Sequence, residues 1–171
     1  VLADCAPNKQ YYINYGVNPE NIYLVPCAVD NQRLRAAKRQ IDDAEVEYMA
    51  ESLGMDRTKP TILFVGKLIS RKRPMDLLKS FNSLDLGENS NLLFVGDGPK
   101  RENLEEFVSS HSVENVYFAG FKNQLELPAY YKLADIFVLT SAYDASPKVV
   151  NEAMNFDLPI VLTDSVGTAE E

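Results

Sequence analysis

Five short apolar stretches recur in the chain from residue 61 onward, and amphipathic segments separate them. They comprise residues 61–65, 91–95, 116–119, 135–139 and 158–162. Stretches that are apolar throughout are typical of strands buried on both faces, and their alternation with helices indicates a parallel sheet. The pattern therefore predicts an α/β fold with a Rossmann-like, doubly wound parallel sheet that begins near residue 57.

The segments between these stretches predict helices. In the first two helices, the residues expected to face the core are Leu77, Leu78, Phe81, Leu84, Leu104, Phe107 and Val108. A third helix is predicted over residues 125–133. A fourth is predicted to start near Pro147, with Ser146 as its N-cap.

The first 56 residues follow a different pattern. We expect a short helix over residues 8–15 and a short extended run over residues 22–26. Residues 30–55 show a polar helical pattern that ends at Gly54. The residues expected to share the apolar face of this helix are Val46, Met49, Ala50 and Leu53.

Composition and charge mainly argue against certain classes of protein and kinds of site. The 171 residues carry a net charge of −8, which argues against a non-specific nucleic-acid binder or a polybasic membrane binder. No apolar run approaches the roughly 20 residues of a membrane-spanning helix. Cys5 and Cys27 form no short pairing motif, so we expect thiols in a reducing compartment. A single histidine, His111, argues against a His-based metal site and a Ser-His-Asp triad.

Cations follow the first strand of the predicted sheet. Four of them, Lys67, Arg71, Lys72 and Arg73, fall within seven residues of an acidic chain. Ligands of doubly wound sheets bind at the carboxyl ends of the strands, where cations and a helix N-terminus suit a phosphate or diphosphate. The alternative is a loop whose charges only improve solubility.

The turn after the second strand contains part of a dinucleotide-binding fingerprint. Gly96 and Gly98 fit its first two glycine positions, but Arg101 occupies the third. Pro99 removes an amide and Asp97 would repel a pyrophosphate. We therefore expect a tight turn here and disfavour a nicotinamide or flavin site.

Polar and aromatic residues also follow the third and fourth strands. Phe121 and Lys122 could flank a planar base, although a plain loop fits equally well. Asp144 and Glu152 lie before and inside the last helix, whose first amides suit an anionic or hydroxyl-rich ligand. The alternative is that Asp144 stabilises the helix dipole while Lys148 and Glu152 form a surface pair at i,i+4.

These strand-end segments resemble a known family. The run DASPKVVNEAM is similar to the Glu-x7-Glu signature of the retaining GT-B glycosyltransferases of family 4, the glycosyl transferases group 1. The runs FVGKLISRKRPMDLLKSF, VGDGP, VYFAGF and ELPAYYKLADIFVLTS resemble family segments in the same order, and YGVNPENIYLVPCAVDNQRL resembles the interdomain hinge. The resemblance covers essentially the whole chain.

The resemblance implies a division of the chain. Residues 1–30 would be the tail of an N-terminal domain and the interdomain linker, and residues 31–56 a helical connection. Residues 57–171 would be most of the C-terminal, nucleotide-sugar-binding half of a GT-B fold, truncated at its C-terminus. The N-terminal acceptor-binding domain would be missing, and this fragment alone is expected to be inactive.

The resemblance also implies residue roles. Lys67 and Lys72 would hold the diphosphate of a nucleotide-sugar, with Arg73 as the alternative to Lys72. Glu152 would accept hydrogen bonds from the ribose, and Asp144 would contact hydroxyls of the donor sugar. Of these, Lys67, Lys72, Asp144 and Glu152 are the implied catalytic residues.

Further implied contacts lie around the base and the helix start. The backbone near Phe121 and Lys122 would touch the base. The segment that would line the phosphate and sugar contains Ser146, Pro147, Lys148 and Val149. The chain departs from the family pattern at Asp144, which is usually Glu, at Lys67, which is often Arg, and at Ala145, which is usually Gly.

The implied function is hexosyl transfer from a UDP- or GDP-linked sugar with retention of anomeric configuration. No metal or other cofactor is expected. Polysaccharide or glycolipid assembly is typical of the family, and the full-length enzyme is expected in the cytoplasm, with the inner face of the membrane as a possible location. The alternatives are a non-catalytic nucleotide-sugar-binding module and a GT-B-like nucleotide-sugar epimerase.

Overall fold

The N-terminal segment forms a small unit of its own in the structure, a computed structural model that describes residues 1–167. Strand β1 (Leu2–Ala3) pairs in parallel with β2 (Tyr23–Leu24), and helix α1 (Ala6–Asn14) connects them. Gly16 follows α1 with a φ of 87°, in the left-handed region that glycine adopts without strain. The predicted short helix and extended run are therefore confirmed.

Two helices connect this unit to the main sheet. They are α2 (Asn31–Gln40) and α3 (Asp43–Ser52), where the sequence pattern predicted one helical segment. Asp30 and Asp42 each cap a helix start, because their side chains accept the N–H of Arg33 at 2.9 Å and of Glu45 at 2.7 Å. The second cap explains the break, since it starts a new helix inside one polar pattern.

A parallel sheet forms the main body of the described residues, 1–167. Its five strands are β3 (Thr61–Val65), β4 (Asn91–Val95), β5 (Val116–Gly120), β6 (Ile136–Leu139) and β7 (Ile160–Leu162). The strand order is β5-β4-β3-β6-β7, and every neighbouring pair is parallel. This is the predicted Rossmann-like, doubly wound topology.

Helices flank the sheet. They are α4 (Pro74–Ser83), α5 (Arg101–Ser110), α6 (Leu127–Leu133) and α7 (Lys148–Met154). Helix α4 packs against α5, whereas α6 packs against α2 and α3. Two predictions are wrong. Leu84 is 66% exposed because α4 already ends at Ser83. Ser146 is not the N-cap of α7, because the helix starts one residue later, after Pro147.

The core lies along the two central strands. All five residues of β4 are buried, and the Phe94 ring stacks on Phe118 of β5 at a centroid distance of 5.3 Å. The carboxyl ends of β3 and β4 also approach closely. A Cβ atom at Gly96 would lie 2.0 Å from the carbonyl oxygen of Gly66, so only glycine fits there. The turn after β4 therefore lies directly against the loop after β3.

Candidate functional site

The strand order of the sheet places two loops together. The chain adds strands on one side of β3 up to β5 and then on the other side from β6, and ligands of doubly wound sheets bind at this switch point. The loop of residues 66–73 follows β3, and the segment of residues 140–147 follows β6. The sequence prediction placed candidate residues in both, and the structure brings them into contact.

Lys72 and Asp144 form an ion pair across these two loops. The Lys72 ammonium donates to Oδ2 of Asp144, and only 12% and 14% of the two side chains are exposed. Arg71 approaches the same carboxylate, with Nη1 3.9 Å from Oδ1, and also donates to the Tyr143 carbonyl at 2.7 Å. One carboxylate therefore faces two cations at the carboxyl edge of the sheet.

Hydrogen bonds fix the loop that carries Lys72. The Thr140 hydroxyl lies 2.8 Å from the carbonyl oxygen of Arg73 and 3.2 Å from that of Lys72. The Ala142 N–H donates to the carbonyl of Arg71 at 2.8 Å. Three consecutive carbonyls are thus held by the segment after β6. We call these contacts the loop anchor.

The loop anchor yields a stability prediction. Thr140→Val keeps the side-chain shape but removes the donor, and we expect it to lower the free energy of unfolding by about 1 kcal/mol. Urea denaturation measures this change. Thr140→Ser retains a hydroxyl and serves as the control. Equal stability of the valine variant and the unsubstituted chain would show that the hydroxyl does not hold the loop.

The backbone of Asp144 also contacts the loop after β7. Its carbonyl accepts the N–H of Gly167 at 2.8 Å, and residues 144 and 166 form an isolated parallel bridge. A Cβ atom at Gly167 would lie 2.2 Å from the carbonyl oxygen of Ala145, so the two segments are in close contact. The backbone of Asp144 is therefore fixed on one side and its carboxylate on the other.

Glu152 lies on α7 and is 9% exposed. Its Oε2 accepts a hydrogen bond from the hydroxyl of Tyr131 at 2.8 Å. Burial, together with the neighbouring carboxylate, raises the pKa of Tyr131 well above its usual range, so the hydroxyl stays protonated and donates. The alternative of a surface pair is wrong. Lys148 is exposed and forms no ion pair with Glu152 within residues 1–167.

The other cations of the loop have different surroundings. Lys67 is exposed directly after β3, and no ion pair of the described residues involves it. Arg73 adopts the left-handed conformation with φ 48°, and its Nε lies 3.8 Å from Asp76 on α4. Of the two sequence candidates, it is Lys72 that contacts Asp144.

The remaining predicted residues lie after β5 and at the start of α7. Phe121 is 76% exposed after β5. The Lys122 ammonium lies 5.5 Å from the centroid of the Tyr130 ring and 3.9 Å from Glu126. At the start of α7, Pro147 is buried and Lys148 is exposed. Ser146 and Val149 are half-buried.

The single histidine lies elsewhere. His111 follows α5 and stacks on the Phe107 ring at a centroid distance of 4.0 Å. Within the described part of the chain, no group of three or more His, Cys, Asp or Glu side chains could hold a metal ion. Among residues 1–167, no helix has the length and apolar character that crossing a membrane requires.

Comparison with known proteins identifies the family. Residues 46–171 match the family described as glycosyl transferases group 1. The chain belongs to the group 1 glycosyltransferases. One curated relative is the 2-deoxystreptamine glucosyltransferase of Streptomyces kanamyceticus, 31% identical over 155 residues, with 85% of this chain and 39% of the relative covered.

A second relative has a less specific description. An uncharacterized glycosyltransferase of Methanocaldococcus jannaschii is 32% identical over 120 residues, with 70% of this chain and 31% of the relative covered. The group 1 chain thus spans less than half the length of these two relatives.

Solved structures show the same fold. A glycosyltransferase from Rickettsia africae superposes with a TM-score of 0.88 at 18% identity, covering 99% of this chain and 45% of the other. Anabaena HepE, solved with UDP and glucose, superposes with a TM-score of 0.81 at 18% identity, again covering 99% and 45%. These similarities establish the GT-B Rossmann-like fold of this group 1 domain.

Sequence reasoning missed three residues of this group 1 site. Tyr131 and Thr140 make the hydrogen bonds to Glu152 and to the loop, and Arg71 was counted only as one cation among four. Tyr131 lies next to Tyr130 in the sequence, and no local pattern tells which hydroxyl meets a carboxylate. Only the tertiary contact of Tyr131 with Glu152 distinguishes them.

Proposed function

We propose that this chain is the nucleotide-sugar-binding part of a retaining GT-B glycosyltransferase of family 4. In the whole protein it takes part in hexosyl transfer. The observation that carries the proposal is the Lys72–Asp144 pair at the switch point of the sheet, with buried Glu152 on the adjoining helix. A cation and two carboxylates at one strand edge match the chemistry of a diphosphate flanked by two sets of hydroxyls.

The diphosphate is assigned to the loop after β3. Lys67 is exposed and available, and Lys72 is presented by the loop anchor. Ammonium groups form charge-assisted hydrogen bonds with phosphate oxygens, and these are stronger than hydrogen bonds between neutral groups. Because Asp144 pairs with Lys72, diphosphate binding must displace or share this contact.

The hydroxyl-rich parts of the donor are assigned to the two carboxylates. Glu152 accepts from the ribose hydroxyls, and Asp144 accepts from hydroxyls of the sugar. An ionised carboxylate suits this role because it only accepts hydrogen bonds and offers two oxygens. Phe121 and Lys122 flank the base, and the chain around Ser146 lines the phosphate and sugar.

The chemical contribution of the domain is electrostatic. When the sugar leaves the nucleoside diphosphate, negative charge grows on the phosphate oxygens, and fixed cations stabilise it. We propose that Lys67 and Lys72 supply this stabilisation and that transfer proceeds without a metal ion. The donor is held in a fixed orientation toward the acceptor, which lowers the entropic cost of the reaction.

The remaining parts of the reaction are assigned to the rest of the protein. The relatives are more than twice as long as the matched region, so we propose that an N-terminal domain supplies the acceptor site. The acceptor belongs to polysaccharide or glycolipid assembly, and the enzyme works in the cytoplasm or at the inner face of the membrane. Anabaena HepE, solved with UDP and glucose, supports a UDP-linked donor.

A titration tests the donor assignment. We expect this chain to bind at least one of UDP, GDP and ADP in isothermal titration calorimetry, and to bind the matching nucleoside at least tenfold more weakly, because charge-assisted phosphate contacts are lost. Circular dichroism confirms that the sample is folded. Absence of binding by all three nucleotides to the folded chain would refute the donor assignment.

A further inference from the structure

We propose that Tyr131 is a positioning residue that orients Glu152 toward the ribose of the bound nucleotide. The inference rests on the proposed function, because it takes Glu152 to be the group that contacts the ribose. Tyr131 lies on α6 and Glu152 on α7, so the two come from helices on either side of strand β6 in the sequence. Tyr131 itself is buried and does not reach a ligand.

Aromatic packing fixes the Tyr131 ring. It stacks on Phe156 at a centroid distance of 5.4 Å and lies 6.4 Å from the Phe137 ring. Phe137 belongs to β6 and is fully buried. A tyrosine ring has few rotatable bonds, so packing on two sides determines where its hydroxyl points. The hydroxyl points at Oε2 of Glu152, at 2.8 Å.

This hydrogen bond assigns different roles to the two carboxylate oxygens. Oε2 is occupied by the Tyr131 hydroxyl, and the Glu152 carboxylate has no other hydrogen bond or ion pair within residues 1–167. Oε1 is therefore left to accept from a ligand. Because burying a polar oxygen without a hydrogen bond is costly, the Tyr131 hydroxyl also offsets the burial of Oε2.

Pre-orientation of the Glu152 carboxylate increases the contribution of the ribose contact to binding affinity. A free glutamate side chain must lose rotamer freedom when it binds a ligand, and this loss reduces affinity. A carboxylate already held by Tyr131 has lost that freedom on folding. Removing the hydroxyl should therefore weaken recognition of the ribose hydroxyls while contacts with the diphosphate and base persist.

Tyr131→Phe tests this inference through ribose discrimination. The probes are the nucleoside diphosphate that binds best among UDP, GDP and ADP, and its 2′,3′-dideoxy counterpart. In the unsubstituted chain we expect the ribose form to bind about tenfold or more tightly. In Tyr131→Phe this preference should fall to about threefold or less, while affinity for the dideoxy form stays within about twofold.

The matched control is Tyr117→Phe. The Tyr117 hydroxyl contacts Asn115 at 3.0 Å and the Gly54 carbonyl at 3.3 Å, so this variant loses tyrosine hydrogen bonds without touching Glu152. It should keep the full ribose preference. A second variant, Phe156→Leu, leaves the hydroxyl but removes the stacking ring, and we expect an intermediate preference.

A double-variant cycle separates positioning from a general loss of structure. Glu152→Gln should lose the ribose preference, and adding Tyr131→Phe to it should cause no further loss. A full ribose preference in Tyr131→Phe or in Phe156→Leu would overturn the inference and leave the proposed function intact. Failure of the unsubstituted chain to bind any nucleoside diphosphate would instead overturn both.

Discussion

Replacing Lys72 by alanine should lower the affinity of this chain for UDP, or for the nucleoside diphosphate that it binds best, by roughly 10- to 100-fold. A hydrogen bond to a charged group contributes about 1.5–3 kcal/mol, and each 1.4 kcal/mol corresponds to a tenfold change in affinity. The Lys72 side chain is only 12% exposed, so salt screens its charge less than that of a surface lysine. Calorimetric titration at fixed ionic strength measures the loss.

Asp144→Asn provides the control for Lys72→Ala. Both variants break the same ion pair, so both lose whatever stability the pair contributes. They should differ in binding, because Asp144→Asn removes the carboxylate that competes with the diphosphate for Lys72. We expect UDP affinity to stay the same or to rise. Equal losses of affinity in the two variants would contradict the assignment of Lys72 to the diphosphate.

Arg73→Ala addresses the alternative cation. The Arg73 side chain is 51% exposed, its Nε lies 3.8 Å from Asp76 on α4, and no ion pair of the described residues joins it to Asp144. We therefore expect UDP affinity to change by less than about threefold, in keeping with an exposed charge. A loss as large as that of Lys72→Ala would show that Arg73 shares the diphosphate.

The sheet could be predicted because its strands are buried on both faces. Residues 61–65 and 91–95 are apolar runs, and the structure places β3 and β4 at these same positions. The helix ends were harder to predict. Leu84 continues the apolar spacing of α4, yet the helix ends one residue earlier and the side chain points to solvent. Periodicity describes a face but carries no information about where the helix stops.

The break between α2 and α3 illustrates the same limit. Residues 30–55 show one polar helical pattern, and Asp42 and Asp43 are compatible with a helix interior. The structure uses Asp42 as an N-cap, which satisfies an amide of the next helix start. Aspartate is favoured at N-caps over helix interiors, but this preference alone does not select the position of the cap. The position also depends on how α3 packs against α6.

The site could be predicted as a set of strand ends, because parallel strands place their carboxyl ends at one edge. Which side chains meet there depends on backbone detail. Lys72 and Arg73 are adjacent in the sequence, yet Lys72 pairs with Asp144 whereas Arg73, at a left-handed φ, pairs with Asp76. The Tyr131–Glu152 contact joins residues 21 positions apart on two different helices. No local sequence pattern predicts this contact.

Replacing Glu152 by alanine should remove most transfer activity of the full-length protein, by about 100-fold or more in kcat/KM for the nucleotide-sugar. Two effects combine. The ribose loses a charged acceptor, which contributes about 1.5–3 kcal/mol for each hydrogen bond, and the buried hydroxyl of Tyr131 loses its partner at the same time. Steady-state kinetics with varied donor concentration measure the change. Glu106→Ala, an exposed glutamate on α5, is the matched control and should leave kcat/KM unchanged.

The ribose role is tested more directly by how the effect of Glu152→Ala is divided between kcat and the KM for the donor. The ribose takes no part in bond breaking, so its contact has nearly equal strength in the ground state and in the transition state. Loss of such a contact raises KM for the donor more than it lowers kcat. Lys72→Ala should show the opposite division, because the diphosphate gains further negative charge only as the sugar departs. A rate left intact by Glu152→Ala would refute the ribose role, and a fall in kcat alone would place Glu152 at the reacting sugar instead.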